Sequence, residues 1–353
     1  MRHLFITRGI PGSGKSAFLQ SAGLDPYTLS PDALRLAYSG PVMNDAGRIV
    51  MPYRDDRRVW QQLHELLDMR MARGEFIVVD ATHTTSSYFQ QYARLARKYR
   101  YKLYVIDFAD VPLKVCLERN RQRALHKVVD DAVLEKMHAR LSTCAIPKRY
   151  TVIQPAEVKE IITSYQQPIN LSQYEHIHHI GDIQGCYTPL REYFEQHPYV
   201  EHDYYIFTGD LLDRGTENAE VLQYVCDNFV DRPNVTFIEG NHDGYIWQWL
   251  NRQPIRAREF NGRTRAQLER ANIDKRVVSR LMNSMQDFLY YTWNDKQVFV
   301  SHAGMSNLPE SPLLLASQQY IRGVGRYEQV GAIDDAFVAH TSDNVYQVHE
   351  AYS

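Results

Sequence analysis

The chain has 353 residues, 44% hydrophobic and 23% charged, with a net charge of -2. This length suits two globular domains of ~150 to 200 residues, and the near-neutral balance excludes a globally basic nucleic-acid binder, so any grip on a polyanion has to come from local clusters. Four widely spaced cysteines, Cys116, Cys144, Cys186 and Cys226, form no CxxC pair and read as reduced thiols of a cytoplasmic protein; no apolar run approaches the ~18 residues of a membrane span, and Met1 to Ile6 leaves no room for a signal peptide before the first motif.

Leu4-Phe5-Ile6-Thr7 is predicted as a strand, followed by Gly9-Ile10-Pro11-Gly12-Ser13-Gly14-Lys15-Ser16 and a helix beginning near Lys15. Strand, glycine loop and helix in that order make a complete P-loop. From Gly9 through Pro11, Gly12, Ser13 and Gly14 the loop offers backbone N–H groups and a helix N-terminus to phosphate oxygens. Lys15 reaches the β and γ phosphates and Ser16 can ligate Mg²⁺, so ATP and Mg²⁺ are expected ligands. Val59 to Met71, with Leu63, Leu66 and Met69 at three- to four-residue spacing, predicts an amphipathic helix. Phe76 to Asp80 and Leu103 to Asp107 are further buried strands, giving the rhythm of a parallel α/β sheet covered on both faces. Arg119 and Arg123, at i and i+4, fall on one predicted helix face. Around Gln154 to Tyr174 the pattern weakens at Pro155, Pro168 and Ser164-Tyr165-Gln166-Gln167. This places a first domain at 1–155, a linker at 156–175 and a second domain at 176–353.

The second half restarts with a strand, His176 to Ile180, ending at Gly181-Asp182-Ile183-Gln184-Gly185. Tyr204 to Phe207 leads into Gly209-Asp210-Leu211-Leu212-Asp213-Arg214-Gly215, Val235 to Ile238 into Gly240-Asn241-His242-Asp243, and Val298 to Val300 into Ser301-His302. Every candidate ligand thus follows an apolar strand, where α/β proteins collect site residues on one sheet edge. Between these motifs, Asn251 to Arg280 carries Arg252, Arg256, Arg258, Arg263, Arg265, Arg270, Lys275 and Arg276 with few acids. Such a stretch suits a nucleic-acid backbone or a solvated helical insert. Tyr245, Trp247, Trp249 and Phe260 are candidates for stacking bases or for the core.

The first half resembles the bacteriophage-type 5′-polynucleotide kinases over most of residues 1 to 150. Ser30-Pro31-Asp32-Ala33-Leu34-Arg35 matches the segment whose aspartate is the general base and whose arginine, three residues on, orients it. The resemblance therefore assigns those roles to Asp32 and Arg35; as a local reading, Asp32 also suits an N-cap. Pro31 stands where that family has a basic residue. Asp80-Ala81-Thr82-His83 resembles the family's stretch near the acceptor, with Asp80 also readable as a structural carboxylate. Leu117 to Arg123 matches its lid, which implies that Arg119 and Arg123 clamp the triphosphate. Val129 to Met137 continues the likeness.

The second half resembles calcineurin-like metallophosphoesterases, implying an α/β sandwich around two divalent ions. The resemblance makes Asp210 the bridging carboxylate, gives Asp182 to the first metal and Asn241 with His302 to the second, and makes His242 the acid, with Asp243 holding its tautomer. Arg214 offers a fork for the departing phosphate, and Arg322 is a further clamp or part of a turn. Two positions depart from the family. Gln184 stands in place of a histidine ligand, and an amide oxygen is the weaker donor for late transition metals. The final Gly-His is approximated by both His340 and His349, with spacing after Val345 to Val348 favouring His349. A thinned first metal site, or a missing C-terminal piece, would make hydrolysis weak or metal-selective, with Mn²⁺ or another divalent transition metal as the ion.

Together the resemblances imply an end-healing enzyme, phosphorylating 5′-hydroxyl ends of RNA or DNA and removing 3′-phosphate or opening a 2′,3′-cyclic phosphate, for a separate ligase to seal. Two alternatives stay open: a small-molecule kinase fused to a dinucleotide or phosphoprotein phosphatase, and an ATP-binding module with a decayed hydrolase. Neither a homo-oligomer nor a preference between RNA and DNA is decided by the sequence.

Overall fold

A computed structural model describes residues 2–305 and 308–323. They form two compact units, one of residues up to Gln166 plus Leu313–Ser317, the other of the described residues within Gln167–Pro312 plus 318–323.

The first unit contains strands β1 (Arg2–Arg8), β2 (Thr28–Leu29), β3 (Val42–Met43), β4 (Ile49–Val50), β5 (Ile77–Val79), β6 (Tyr101–Asp107) and β7 (Thr151–Ile153). Its helices are α1 (Lys15–Ser21), α2 (Pro31–Tyr38), α3 (Asp56–Ala72), α4 (Ser86–Tyr99), α5 (Leu113–Arg121), α6 (Asp131–Thr143) and α7 (Pro155–Ser164). Five strands make one sheet in the order β2-β5-β1-β6-β7, all pairs parallel, and β3 and β4 form a separate antiparallel hairpin. Side chains alternate across β1: Leu4 and Ile6 pack with Leu63, Leu67 and Phe89 of α3 and α4, while Phe5 packs on the other face with Leu19 of α1 and Val158 of α7. Burial on both faces is why the strand reads as a continuous apolar run.

Two expectations change here. The buried stripe of α3 is Val59, Leu63, Leu67 and Met71, with Met69 45% exposed; the i, i+4 row, rather than the i, i+3 row through Leu66 and Met69, faces the sheet. The stretch read as linker holds α7 over much of its length. Pro155 starts that helix, Gln154 and Glu157 form a capping box, and Val158 with Ile161 and Ile162 packs under the sheet of the first unit.

The second unit contains β8 (Ile169–Asn170), β9 (Ile177–Ile180), β10 (Tyr204–Phe207), β11 (Val235–Phe237), β12 (Phe288–Trp293) and β13 (Lys296–Ser301). Its helices are α8 (Tyr187–Gln196), α9 (Asn218–Asn228), α10 (Asp243–Leu250), α11 (Arg265–Arg270), α12 (Lys275–Ser284) and α13 (Ser317–Arg322), with a π-turn at Phe260–Thr264 leading into α11. There are two three-stranded sheets, β11-β10-β9 parallel and β13-β12-β8 mixed. β10 again divides its side chains. Tyr204 and Ile206 meet Leu289, Tyr291 and Val300 of the second sheet, and Tyr205 and Phe207 meet the helices through Leu222, Val225 and Phe229. The result is the expected sandwich.

Trp247, Trp249 and Phe260 are buried in the helical core and Tyr245 packs against it, so the aromatic cluster is structural rather than a stacking platform. Arg322 ends a helix rather than sitting in a turn. His340 and His349 lie outside the described residues.

Candidate active sites

In the first unit, the glycine loop joins the carboxyl end of β1 to α1. Gly9 N donates to Thr82 O (3.1 Å), Ser13 N closes a turn on Ile10 O (3.2 Å), and Gly14 caps α1 with φ 100°. Gly12 shows why only glycine fits: its φ is 84°, and a Cβ there would lie 2.3 Å from Cys116 O. Lys15 is buried, with Nζ donating to Ile10 O at 2.9 Å, and burial lowers its pKa to about 8. Ser16 Oγ donates to Asp80 Oδ2 at 2.6 Å, and Thr7 Oγ1 donates to Asp80 Oδ1 at 3.0 Å. A hydroxyl and an adjacent strand-end carboxylate are the oxygen donors with which P-loop proteins hold Mg²⁺ against phosphates, so the residues present fit that ion. Asp80 was legible only as a loose resemblance; its contact with Ser16 gives it a role.

Asp32 lies in the first turn of α2, but Ser30 occupies the N-cap position and Pro31 opens the helix, so Asp32 is not the cap. Arg35 Nη1 donates to Asp32 Oδ1 at 2.5 Å, and the same guanidinium bonds Asp56 Oδ1 through Nε at 2.9 Å and through Nη2. Arg35 is thus a buried bracket between two carboxylates that are both half-exposed, Asp32 at 45% and Asp56 at 43% of the side chain. Asp56, at the start of α3, was not singled out from the sequence. Arg119 and Arg123 do not share a helix face, because α5 ends at Arg121 and Arg123 follows the C-cap Gln122. The turn still keeps them near the loop: Arg119 Nη1 is 3.6 Å from where a Gly14 Cβ would stand, and the charge of Arg123 acts on Lys15.

In the second unit, Asp182 follows β9, Asp210 follows β10, Asn241 and His242 follow β11, and His302 follows β13. Ligand atoms of Asp182, Asp210 and His302 lie within 4.8 Å of one another. His302 Nδ1 donates to Thr208 O at 2.9 Å, which in the neutral ring leaves Nε2 as an acceptor. Nε2 faces Asn241 Oδ1 at 3.1 Å and Asp210 Oδ1 at 3.6 Å. Three acceptors turned toward one another suit a cation between them, so these residues fit a divalent ion. When bound, such ions polarise the phosphate oxygens and supply an acidified water. Gln184 Nε2 lies 3.4 Å from Asp182 Oδ1, which keeps its amide beside the group.

Close packing at this edge depends on glycine. Gly209 has φ 100° and a Cβ there would lie 2.5 Å from Gly240 N, while a Cβ on Gly240 would lie 2.2 Å from Asp210 Oδ1. Asp182 (φ 49°), Gln184 (48°), Asp210 (54°), Asp213 (78°) and Arg214 (60°) all adopt positive φ. Each costs on the order of 1 kcal/mol, the kind of local strain that surrounding packing must hold in place.

The tautomer of His242 is held by Asp213, not Asp243. His242 Nδ1 donates to Asp213 Oδ2 at 2.7 Å, and this bond raises the pKa of the imidazole despite its partial burial. Asp213 is in turn fixed by the Thr264 hydroxyl on Oδ1, at 2.5 Å, with its backbone N–H on Asn218 Oδ1. Asp243 is fully buried and accepts from the N–H groups of Gly240, Asp210 and Leu211 at 2.7 to 3.0 Å. Its role is to anchor the backbone that carries Asp210. Burial and the charge of Asp210 push its pKa to about 6 against those three bonds. With His242 in the role of acid that the resemblance implies, replacing Asp213 by Asn is expected to lower kcat for phosphate release by roughly 10²-fold, within the range a positioned acid contributes, and to move the alkaline limb of the pH profile downward. An unchanged profile would disconnect Asp213 from the acid.

Arg214 is exposed, and its carbonyl accepts from Arg263 Nη1 at 2.8 Å. Arg263 and Thr264 both belong to the π-turn, so one irregular turn supports both Asp213 and Arg214.

Two family models match the chain: the AAA domain over residues 4–144 and the calcineurin-like phosphoesterases over residues 175–345. Among curated relatives, the asymmetrical bis(5′-nucleosyl)-tetraphosphatase PrpE of Bacillus subtilis (strain 168) is 28% identical over 138 residues, covering 36% of this chain and 56% of its own. The symmetrical bis(5′-nucleosyl)-tetraphosphatase of Marinomonas sp. (strain MWYL1) is 45% identical over 70 residues, 19% of this chain and 24% of its own. The chain thus spans about half or less of the length of these relatives. Among solved structures, a chain of the Pnkp1/Rnl/Hen1 RNA repair complex aligns over 68% of this chain and 80% of its own, with 16% identity and a TM-score of 0.33.

Proposed function

From a chain that joins a P-loop kinase-like domain to a calcineurin-like metallophosphoesterase domain, we propose a bifunctional end-healing enzyme. The first unit transfers the γ-phosphate of ATP to a 5′-hydroxyl of RNA or DNA, with Asp32 accepting the proton, Arg35 orienting it, and Arg119 and Arg123 on the triphosphate. The second unit takes off a 3′-phosphate or opens a 2′,3′-cyclic phosphate, with His242 protonating the leaving oxygen and Arg214 on the phosphate. Asp182, Asp210, Asn241 and His302 hold the ions there.

The observation that carries this reading is a phosphoryl-donor site and a phosphate-removal site on one polypeptide. Acting on one group they would cancel. Acting on the two sides of a break they leave ends that a ligase can join. Residues 251–280 add support, with nine Lys or Arg against three Asp or Glu in a chain of net charge -2; Arg252, Arg256, Arg258, Arg263, Arg270, Lys275 and Arg276 are exposed. Such a basic stretch, whose Arg263 donates to the Arg214 carbonyl, suits a nucleic-acid backbone leading to the phosphate site. Replacing Arg256 and Arg258 by alanine is expected to weaken oligonucleotide binding by the phosphatase and to reduce the salt slope by about one per lost phosphate contact. Equal slopes would make the arginines a merely solvated face. The deciding assay supplies a broken RNA or DNA with 5′-hydroxyl and 3′-phosphate ends, ATP, and either Mg²⁺ or Mn²⁺, and reads both termini.

A second reading is favoured by the relatives. Their names describe hydrolysis of bis(5′-nucleosyl) tetraphosphates, which suggests a dinucleotide phosphatase joined to a small-molecule kinase. Diadenosine tetraphosphate hydrolysed well, with no inhibition by 3′-phosphorylated oligonucleotide, would establish that reading against the first.

A further inference from the structure

We propose a second divalent-cation site in the phosphoesterase unit, made by Glu175, His202 and Asp203, at the edge of the sheet opposite the hydrolytic cluster. β9 and β10 run parallel with Ile177 beside Tyr204, and Glu175 N donates to His202 O at 2.9 Å, so residues 175 and 202 are neighbours just before the two strands begin. Asp182 and Asp210 follow the carboxyl ends of the same strands. The two groups are separated by at least the four-residue strands, roughly 13 Å at about 3.3 Å per residue.

Ligand atoms of Glu175, His202 and Asp203 lie within 4.8 Å of one another. Asp203 is the fixed member. It is 7% exposed, its Oδ1 accepts from His176 Nδ1 and its Oδ2 from His178 Nε2, both at 3.0 Å. His178 is itself locked, with Nδ1 accepting from the Tyr193 hydroxyl at 2.7 Å and its ring stacked on Tyr205 at 4.7 Å. Each carboxylate oxygen that accepts one N–H keeps lone-pair capacity for a cation, and histidines behind a ligand fix its orientation.

Glu175 and His202 are exposed arms, with His202 Nε2 3.8 Å from Glu175 Oε2. That gap is too long for a hydrogen bond and within the span of two ligands on one ion at bond lengths of ~2.0 to 2.2 Å. One imidazole and two carboxylates with open positions suit Zn²⁺ rather than Mg²⁺ or Ca²⁺, which prefer all-oxygen sets. The ion would clip together the starts of β9 and β10, whose far ends carry Asp182 and Asp210. This assignment does not depend on the proposed substrate.

The test counts Zn²⁺ by calorimetry and metal analysis on the full chain, in the Asp210→Asn, His302→Ala background that disables the hydrolytic cluster. One ion per chain is expected. Adding Glu175→Gln and His202→Ala should weaken binding at least tenfold and remove the zinc-dependent rise in Tm, with circular dichroism unchanged. In the otherwise wild-type chain, Glu175→Gln with His202→Ala should leave phosphate release at saturating Mn²⁺ unchanged. No zinc bound in the first background, or zinc bound equally with and without Glu175 and His202, overturns the assignment.

Discussion

Asp210→Ala is expected to reduce divalent-metal-dependent phosphate release to background while ATP-dependent phosphorylation persists. Asp210 is 2% exposed, accepts the His242 N–H on Oδ1 at 2.8 Å, and lies within ligand distance of Asp182 and His302. Truncation removes the carboxylate those two residues share, so their remaining donors have no common ion to complete. It also frees the backbone N–H of His242. A neutral amide replacement, Asp210→Asn, keeps that acceptor and separates the two effects: loss of hydrolysis with retained thermal stability assigns the loss to the ions. Phosphate release is measured on a 3′-phosphorylated oligonucleotide across Mg²⁺, Mn²⁺ and Zn²⁺. Activity of Asp210→Ala within threefold of wild type would remove it from the metal site. A wild type that binds ATP and hydrolyses nothing with any ion would favour the decayed hydrolase.

Lys15→Ala is expected to lower phosphoryl transfer by ~10²- to 10³-fold, the usual loss when one preorganised charge at a phosphate is removed. The ammonium is buried and donates to the loop's own Ile10 carbonyl, so it is already placed within the cradle. Burial dominates its pKa of about 8, with Asp80 opposing and Arg123 adding to the depression. The sign of the linkage follows. A phosphate beside Nζ favours the charged form and raises the pKa, so nucleotide binding near pH 8 should take up protons. Calorimetry in buffers of different ionisation enthalpy measures that uptake, and Lys15→Ala should lack it. Equal transfer by wild type and Lys15→Ala, with equal proton uptake, would end the kinase assignment.

Much of the sites was legible because the motifs are local. The P-loop needs only the order strand, glycines, Lys15, Ser16, and Asp210 and Asn241 each follow an apolar strand that reads as one. What escaped depended on turns. Asp213 lies three residues after Asp210 in the same motif, yet its approach to His242 rests on positive φ at Asp213 and Arg214, which non-glycine side chains rarely signal. Asp243, adjacent to His242 in sequence, points instead at three backbone N–H groups. The i, i+4 reading of Arg119 and Arg123 failed because α5 stops at Arg121, and a solvated helix end carries no strong stop signal here.

By itself the sequence determined where phosphate and metal chemistry can occur, since a glycine loop and strand-end carboxylates are fixed by short-range spacing. It also determined the parallel sheet of the first unit, because β1 and β5, covered on both faces, read as continuous apolar runs. Only the tertiary structure decided which carboxylate serves which partner: Asp80 with Ser16, Asp56 with Arg35, Asp213 with His242. Those pairs lie 64, 21 and 29 residues apart, and the chain brings them together only after helices and sheets have packed, a long-range outcome that no local pattern encodes.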